Sequence, residues 1–230
     1  MVTTGFSNLY RQQYISQMAS QQFDLLVIGG GITGCGIALD AALRGMKVAL
    51  IEKSDFASGT SSRSTKLIHG GLRYLKQLEF KLVRDVGSER AVVHRNARHV
   101  VIPEKMLLPI VEGGSLGKLP TSLGLLVYDL LAGVKAEERR KMLDRHETYK
   151  AEPLLNTNGL LGGGLYFEYR TDDSRLVIEL AKSAYANGAL LLNYAQSTKF
   201  IYDSTGKVTG ATVTDHNSGN SFDIRAKVIV

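Results

Sequence analysis

Three glycines near the start of the chain have the spacing of a diphosphate-binding turn. Gly29, Gly31 and Gly34 form the pattern G-x-G-x-x-G. The first glycine permits a tight turn, the second lets the backbone approach a pyrophosphate, and the third lets a helix pack closely on a strand. Glu52 follows about 20 residues later, where its carboxylate can accept hydrogen bonds from ribose hydroxyls and would repel a 2′-phosphate. The pattern predicts a dinucleotide site, disfavours NADP, and leaves FAD and NAD as alternatives.

Hydrophobic periodicity indicates the elements that position these residues. Residues 23–28 are an apolar run typical of a buried parallel strand, residues 34–44 have helical periodicity, and residues 47–51 form a second strand that ends at Glu52. Together they make one complete βαβ unit, with the glycines between its first strand and its helix. The sequence therefore predicts a Rossmann-like α/β fold.

The rest of the chain predicts further helices and strands around an irregular middle region. A helix capped by Ser7 precedes the first strand, and helices are predicted over 79–98, 137–145 and 173–186. Pro103, Pro109 and Pro120 interrupt the apolar pieces of residues 103–132. Strands are predicted over 163–169, 190–202, 208–215 and 221–230, of which the last three form a β-meander.

We expect three segments along the chain. Residues 20–102 form the dinucleotide-binding core and the helices that follow it, residues 103–172 form part of a substrate-binding or cap region, and residues 173–230 return to the dinucleotide-binding domain with the β-meander. The strand predicted over 226–230 has no turn after it. We therefore expect the chain to be the front part of a longer protein, truncated at its C-terminus.

Composition excludes several classes of protein. With 44% hydrophobic and 22% charged residues, most of the 230-residue chain is not disordered. Its only cysteine, Cys35, cannot form an internal disulfide and fits a reducing, cytoplasmic setting. No apolar run approaches the roughly 20 residues of a membrane-spanning helix. The net charge is +6, but the basic residues are scattered among acids, so nucleic-acid binding is not expected. The histidines lack Cys or acidic partners at ligand spacing, and no metal is predicted.

Two long runs resemble a known family. Residues 28–45 read IGGGITGCGIALDAALRG and residues 60–75 read TSSRSTKLIHGGLRYL. Both are similar to blocks of the FAD-dependent glycerol-3-phosphate dehydrogenases, and a weaker similarity continues through residues 168–169 and 172–176. The resemblance implies a glutathione-reductase-like fold of the D-amino-acid-oxidase type, with a separate substrate-binding sheet. It also implies FAD as the cofactor and oxidation of sn-glycerol 3-phosphate to dihydroxyacetone phosphate by hydride transfer to the flavin.

The resemblance extends the set of cofactor-binding residues beyond the glycines. Ser61, Ser62 and Lys66 are expected FAD contacts, because hydroxyls and an ammonium suit a diphosphate or a ribityl chain, and Ala195 is expected to offer its backbone to the adenine. Ordinary turn chemistry would use the same residue types. The full expected set is Gly29, Gly31, Ile32, Thr33, Gly34, Glu52, Lys53, Thr60, Ser61, Ser62, Ser64, Lys66, Leu67, His69, Gly70, Gly71 and Ala195.

The second run also carries the candidates for the reaction itself. His69 is the first candidate for the base that takes the C2 hydroxyl proton, because its unperturbed pKa of about 6.5 suits a base at neutral pH. The alternative is that His69 only contacts the flavin. Arg73 can grip two phosphate oxygens with its guanidinium and equally could bind a carboxylate or form a surface ion pair. Tyr74 either adds a hydroxyl donor to the same group or packs in the core.

The resemblance also implies partners. Glycerol 3-phosphate is the expected substrate and a quinone the expected electron acceptor, with oxygen as the alternative. A quinone acceptor implies peripheral contact with the inner face of the cell membrane, and a homo-oligomer is compatible with the same expectation. Two other functions stay open: an FAD oxidoreductase for an amine or hydroxy acid, and a non-catalytic dinucleotide-binding module.

Overall fold

The computed structural model describes residues 5–68, 74, 77, 79–114, 117–131 and 139–230. Its elements in chain order are α1 (Arg11–Ser20), β1 (Gln22–Ile28), α2 (Ile32–Leu43), β2 (Val48–Ile51), β3 (Leu67–Ile68), α3 (Phe80–Asn96), β4 (Val101–Val111), α4 (Lys118–Leu131), β5 (Lys141–Leu143), α5 (Arg145–Ala151), β6 (Leu160–Thr171), α6 (Asp173–Ala186), β7 (Leu190–Leu192), β8 (Ala195–Tyr202), β9 (Val208–Asp215) and β10 (Ser221–Ile229). Short 3₁₀ helices cover Asn8–Tyr10 and Thr60–Ser62.

The chain divides into two compact units. Unit 1 contains Met1–Ser64 and Asp173–Val230, and unit 2 contains Thr65–Asp172. Unit 2 is therefore an insertion between two halves of unit 1. The expected segment boundary at 102/103 lies inside β4, which runs without interruption from Val101 to Val111.

Unit 1 is built on a six-stranded sheet in the order β7-β2-β1-β10-β9-β8. Strand β1 pairs in parallel with β2 and with β10, and β2 pairs in parallel with β7. Strands β8, β9 and β10 are antiparallel and form the predicted meander. All four residues of β2 are buried, as the continuous apolar run predicts for a strand covered on both faces.

Two clusters of buried side chains cover the faces of this sheet. In one, alanines of α2 and α6, such as Ala38 and Ala181, pack with Leu25 and Leu50 of the strands. In the other, Tyr14 and Met18 of α1 pack with strand residues that include Leu26 and Ile224. The small alanine side chains allow α2 and α6 to approach each other closely.

Unit 2 is built around the long strand β6. Strand β4 pairs along most of the length of β6, while β3 and β5 pair with its other edge. Pro103 and Pro109 lie within β4, which is an edge strand among the strands that the structure describes. The expectation that these prolines interrupt regular structure is wrong. Proline is tolerated at a sheet edge, because an N–H on the unpaired side of an edge strand has no hydrogen bond in the sheet to lose.

Three other sequence-based predictions differ from the structure. Residues 141–143 of the predicted helix 137–145 form β5, and the helix begins later because Asp144 and Glu147 form a capping box. Helix α4 lies in the region predicted to be irregular, with Pro120 in its first turn, where proline is tolerated because the N–H groups there have no acceptor within the helix. The single strand predicted over 190–202 is two strands, which are separated at Asn193 and Tyr194. No helix in the described part of the chain is long and apolar enough to cross a membrane.

Candidate functional site

Backbone conformation and packing in the turn between β1 and α2 account for two of its three patterned glycines, Gly29 and Gly34. Gly29 has a φ of +126°, which side-chain-bearing residues rarely adopt, and its N–H donates to the carbonyl oxygen of Ile51 at 2.8 Å. Gly31 is the N-cap of α2 and provides no side-chain cap. A Cβ on Gly34 would overlap the carbonyl oxygen of Gly29. The third glycine therefore lets α2 pack directly on the turn.

Gly30 is a fourth glycine that the turn requires, although the spacing pattern allows any residue at this position. Its N–H donates to Glu52 Oε2 at 2.7 Å, and its carbonyl oxygen accepts the N–H of Ala57 at 3.0 Å. A Cβ at this position would lie 2.7 Å from Phe56 Cδ1 and 2.8 Å from Glu52 Cβ. The signal in the sequence was the unbroken run of glycines at 29–31, which exceeds what G-x-G-x-x-G needs.

Glu52 lies where the sequence placed it, directly after β2. Its Oε2 accepts the Gly30 N–H, and its Oε1 accepts the N–H of Ser54 at 2.8 Å. A carboxylate offers about four acceptor positions, so two hydrogen bonds to the backbone leave capacity for ribose hydroxyls. Glu52 thus holds the turn and can still serve a nucleotide.

The N-terminus of α2 is suited to an anion. Ser61 Oγ accepts the N–H of Ile32 at 2.9 Å and would lie 3.2 Å from a Cβ on Gly31. No acceptor for the N–H groups of Thr33 and Gly34 is found among the described residues. Free amides and the positive end of the helix dipole attract phosphate groups. The turn, the helix end and Glu52 together fit the pyrophosphate and ribose of a dinucleotide.

The other residues of unit 1 that we expect to contact FAD differ in their exposure and in their hydrogen-bond partners. Lys53 and Thr60 are exposed in the loop after β2, and Ser62 Oγ donates to the carbonyl oxygen of Gly59 at 3.3 Å. Ser64 donates its hydroxyl hydrogen to Asp173 Oδ2, at the start of α6. The N–H of Ala195 donates to the carbonyl oxygen of Glu52 at 2.8 Å. Glycines 29, 31 and 34 are therefore brought together with Glu52 and Ser61, whereas the hydroxyl of Ser64 serves a protein carboxylate.

The remaining expected residues belong to unit 2 or lie outside the described residues. Lys66 is half-buried with a φ of +63°, and its carbonyl oxygen accepts the N–H of Thr171 at 2.9 Å. Leu67 pairs with Arg170 in the sheet. Tyr74 is half-buried, and its carbonyl oxygen accepts the N–H of Glu79 at 3.1 Å. His69, Gly70, Gly71 and Arg73 lie outside the described residues, and their roles stay predictions.

A buried ion pair in unit 2 was missed by the sequence analysis. Arg90 Nη1 donates to Glu168 Oε2 at 2.9 Å and to the hydroxyl of Tyr128 at 2.6 Å, and both charged side chains are at most 4% exposed. Burial, and then the charge of Glu168, raises the pKa of Tyr166. The signal was the helical spacing of Val83 and Arg90, which are seven residues apart and so share the buried face of α3. The pair joins α3 and α4 to β6.

Cys35 carries no sign of reactivity. It is fully buried within α2, and burial, followed by the charge of Glu52, raises the pKa of its thiol to about 12. A thiol with so high a pKa is a poor nucleophile at neutral pH. In the described ranges, no three or more His, Cys, Asp or Glu side chains are grouped so as to hold a metal ion.

Comparisons with known proteins agree with this geometry. A family model described as FAD dependent oxidoreductase matches residues 24–230. An aerobic glycerol-3-phosphate dehydrogenase of Staphylococcus haemolyticus is 56% identical over 226 residues, which are 98% of this chain and 41% of that protein. The chain thus spans about two fifths of the length of the curated relatives it matches.

Solved structures show the same similarity. A glycerol-3-phosphate dehydrogenase of Bacillus halodurans, solved in complex with FAD, aligns with a TM-score of 0.75 and 44% identity over 96% of this chain and 36% of that one. The L-α-glycerophosphate oxidase of Mycoplasma pneumoniae, with FAD bound, aligns with a TM-score of 0.63 over 91% of this chain and 53% of that one. At 22% identity, this second likeness shows the fold alone. The predicted fold class is confirmed.

Proposed function

The chain belongs to the FAD dependent oxidoreductase family, and from this premise we propose that the protein containing it oxidises sn-glycerol 3-phosphate to dihydroxyacetone phosphate. The cofactor is FAD rather than NAD. The observation that carries the proposal is the 56% identity, over 98% of this chain, to a protein named aerobic glycerol-3-phosphate dehydrogenase. Because the chain spans only 41% of that relative, the activity is proposed for the whole protein.

The turn after β1 supplies the means to hold the cofactor. The free amides at the start of α2 bind the pyrophosphate, and Gly31 lets the backbone approach it. Glu52 accepts hydrogen bonds from the ribose hydroxyls with the lone pairs that Gly30 and Ser54 leave unused. When bound, FAD supplies the acceptor for the hydride that leaves C2 of the substrate.

The substrate contacts come from the second sequence run. Arg73 binds the phosphate through two parallel hydrogen bonds from its guanidinium, and Tyr74 adds a hydroxyl donor. His69 takes the proton of the C2 hydroxyl while the hydride leaves C2, so that a ketone forms and the charge is balanced. What supports these roles is the residue types and the family resemblance of residues 60–75.

An anaerobic titration of the full-length holoprotein tests the substrate. Glycerol 3-phosphate should bleach the oxidised-flavin absorbance band, whereas glycerol, glycine and lactate should not. Bleaching by an amine or a hydroxy acid alone would replace the substrate, and a stable flavin band with every compound would favour a non-catalytic module. A protein without a flavin band would contradict the cofactor itself.

Variants of the full-length protein test the residue roles. Arg73→Ala should raise the KM for glycerol 3-phosphate at least about tenfold, because a charge-assisted phosphate contact is lost. His69→Ala should slow flavin reduction by about 100-fold, the lower range for loss of a general base. Arg84→Ala, at an exposed position of α3, is the matched control and should leave both constants unchanged. Wild-type constants for the Arg73 or His69 variant would remove that residue from the mechanism.

We propose further that the whole protein contacts the inner face of the cell membrane, where a quinone would accept the electrons, and α4 supports the membrane contact. The exposed leucines of this helix, at positions 119, 123, 126 and 130, follow helical spacing along one side, and Leu119 is 84% exposed. The opposite side is buried through Leu125 and Tyr128. An exposed apolar stripe of this kind suits insertion into the headgroup region of a bilayer.

Sedimentation with anionic phospholipid vesicles tests this contact. The full-length protein should sediment with the vesicles, and Leu119→Ser combined with Leu123→Ser should leave it in the supernatant. Thr205→Ser, in an exposed turn of unit 1, is the control. If the double variant binds vesicles normally, α4 is not the membrane contact. If it instead changes the oligomeric state in light scattering, the stripe joins copies of a homo-oligomer.

A further inference from the structure

Arg11, the first residue of α1, ties the N-terminal helix to the loop that follows β7. Its Nη2 donates to the carbonyl oxygen of Asn193 at 2.7 Å and to that of Tyr194 at 3.3 Å. Its charge is paired with Asp215, whose Oδ1 lies 2.5 Å from Nη2, and the two side chains are 11% and 3% exposed. A half-buried guanidinium therefore holds two consecutive carbonyl groups and a carboxylate at once.

The loop held by Arg11 is bonded to the segment that carries Glu52. Asn193 Nδ2 donates to Asp55 Oδ1 at 2.8 Å. The N–H of Tyr194 donates to the carbonyl oxygen of Ser54, and the N–H of Ala195 to that of Glu52, both at 2.8 Å. The hydrogen bonds therefore connect Arg11, through one loop, to the main chain of Glu52.

The loop has a conformation that needs such support. Tyr194 has a φ of +50°, a left-handed conformation that costs free energy in any residue other than glycine. The two carbonyl groups that Arg11 holds belong to Tyr194 and to the residue before it. Arg11 thus stabilises the strained position from which the bonds to Ser54 and Glu52 are made.

We infer that Arg11 is a positioning residue for the adenosine half of the FAD site. Through Asn193 and Tyr194 it fixes the backbone of residues 52–54, and with it the carboxylate of Glu52 that holds Gly30 and receives the ribose. Its own donors are directed at protein carbonyls and at Asp215, so it acts through other residues. The inference rests on the FAD site of the proposed function.

The test compares variants of the full-length protein after removal of FAD. Arg11→Lys keeps a positive charge for Asp215, but a single ammonium cannot span both carbonyl groups. Asn193→Ala removes the side-chain hydrogen bonds of Asn193 to Asp55 and Arg11 but keeps its main-chain carbonyl, and it serves if the first variant does not fold. Tyr14→Phe is the matched control, because the hydroxyl that it removes from the same helix is bonded to Gly5 and Tyr185.

Two dissociation constants are measured for each variant, for FAD by flavin fluorescence and for ADP by competition, together with the unfolding midpoint of the apoprotein. Arg11→Lys should raise the dissociation constants of FAD and ADP by the same factor of about ten, which corresponds to the loss of one hydrogen bond from a charged group. Asn193→Ala should raise both dissociation constants by a smaller common factor, and Tyr14→Phe should leave both unchanged.

Two results would overturn the inference. One is wild-type affinity of Arg11→Lys for FAD and ADP. The other is a loss of FAD and ADP affinity in Tyr14→Phe that equals the loss in Arg11→Lys, with an equal drop in the unfolding midpoint. The loss of affinity would then follow from general destabilisation and not from the bonds of Arg11. Wild-type protein that binds no FAD would contradict the proposed function, which separates its failure from that of the inference.

Discussion

Gly34 and Gly36 lie two residues apart in α2 and form a matched pair for substitution by alanine. A Cβ on Gly34 would overlap the carbonyl oxygen of Gly29 and lie 3.3 Å from Val27 Cγ1, whereas a Cβ on Gly36 would have no neighbour within 4 Å. Both positions are inside the helix. Alanine therefore gains about 1 kcal/mol of helix propensity over glycine at either position.

The overlap at Gly34 cannot be relieved cheaply. The carbonyl oxygen of Gly29 shares a planar peptide group with the N–H of Gly30, which donates to Glu52 Oε2 at 2.7 Å, so the bond to Glu52 fixes its position. The start of α2 must move instead, and overpacking of this kind costs about 1–3 kcal/mol. Because the gain in propensity is common to both variants, the difference between their free energies of unfolding isolates this steric cost.

Urea unfolding of the full-length protein measures this difference. Gly36→Ala should be more stable than the wild type by up to about 1 kcal/mol, and Gly34→Ala should be less stable than Gly36→Ala by about 1–3 kcal/mol. Gly34→Ala should also lose FAD, measured by flavin fluorescence, because the amides at the start of α2 are displaced. Equal stabilities, with FAD retained by both variants, would refute the close approach of α2 to the turn.

Three further outcomes follow from buried groups. Cys35 should label with a thiol reagent at pH 8 only after unfolding, as mass spectrometry of its peptide would show, because its native pKa is about 12. Glu168→Gln should lower the free energy of unfolding by about 3 kcal/mol or more by leaving Arg90 without its carboxylate, and full stability in urea unfolding would contradict this. Burial raises the pKa of Asp215, but hydrogen bonds from Arg11 and Ser218 outweigh it and the net shift is downward. The stability from Asp215 is therefore present above about pH 4 and lost below it, and Asp215→Asn should flatten urea midpoints measured between about pH 3 and 6.

The cofactor turn could be predicted because the residues that specify it are close together in the sequence. An apolar run, three spaced glycines and an acidic residue after the second strand are all visible within residues 23–52. The hydrogen bond from Gly30 to Glu52 was not predictable in the same way. It depends on the register of β1 and β2, which pairs Ile28 with Ile51 and so places Glu52 beside the turn.

Two of the incorrect predictions share a physical cause, since each concerns a segment whose structure depends on distant partners. The break between β7 and β8 occurs at Tyr194, whose positive φ is held by bonds to Arg11 and Ser54. Residues 141–143 belong to segment 137–145, whose charged residues suggest a helix, but they pair with β6 instead. The capping box at Asp144 and Glu147 was the local signal that could have placed the helix correctly.

Ser64 shows how the cofactor half of the fold accommodates the insertion of unit 2. Ser64 ends the first segment of unit 1 and Asp173 begins the second, and the two side chains are hydrogen-bonded to each other. Just inside unit 2, the entering and leaving strands pair, with Leu67 opposite Arg170. Closing a loop costs free energy that grows only slowly with its length, so an insertion joined at its base adds little cost to unit 1.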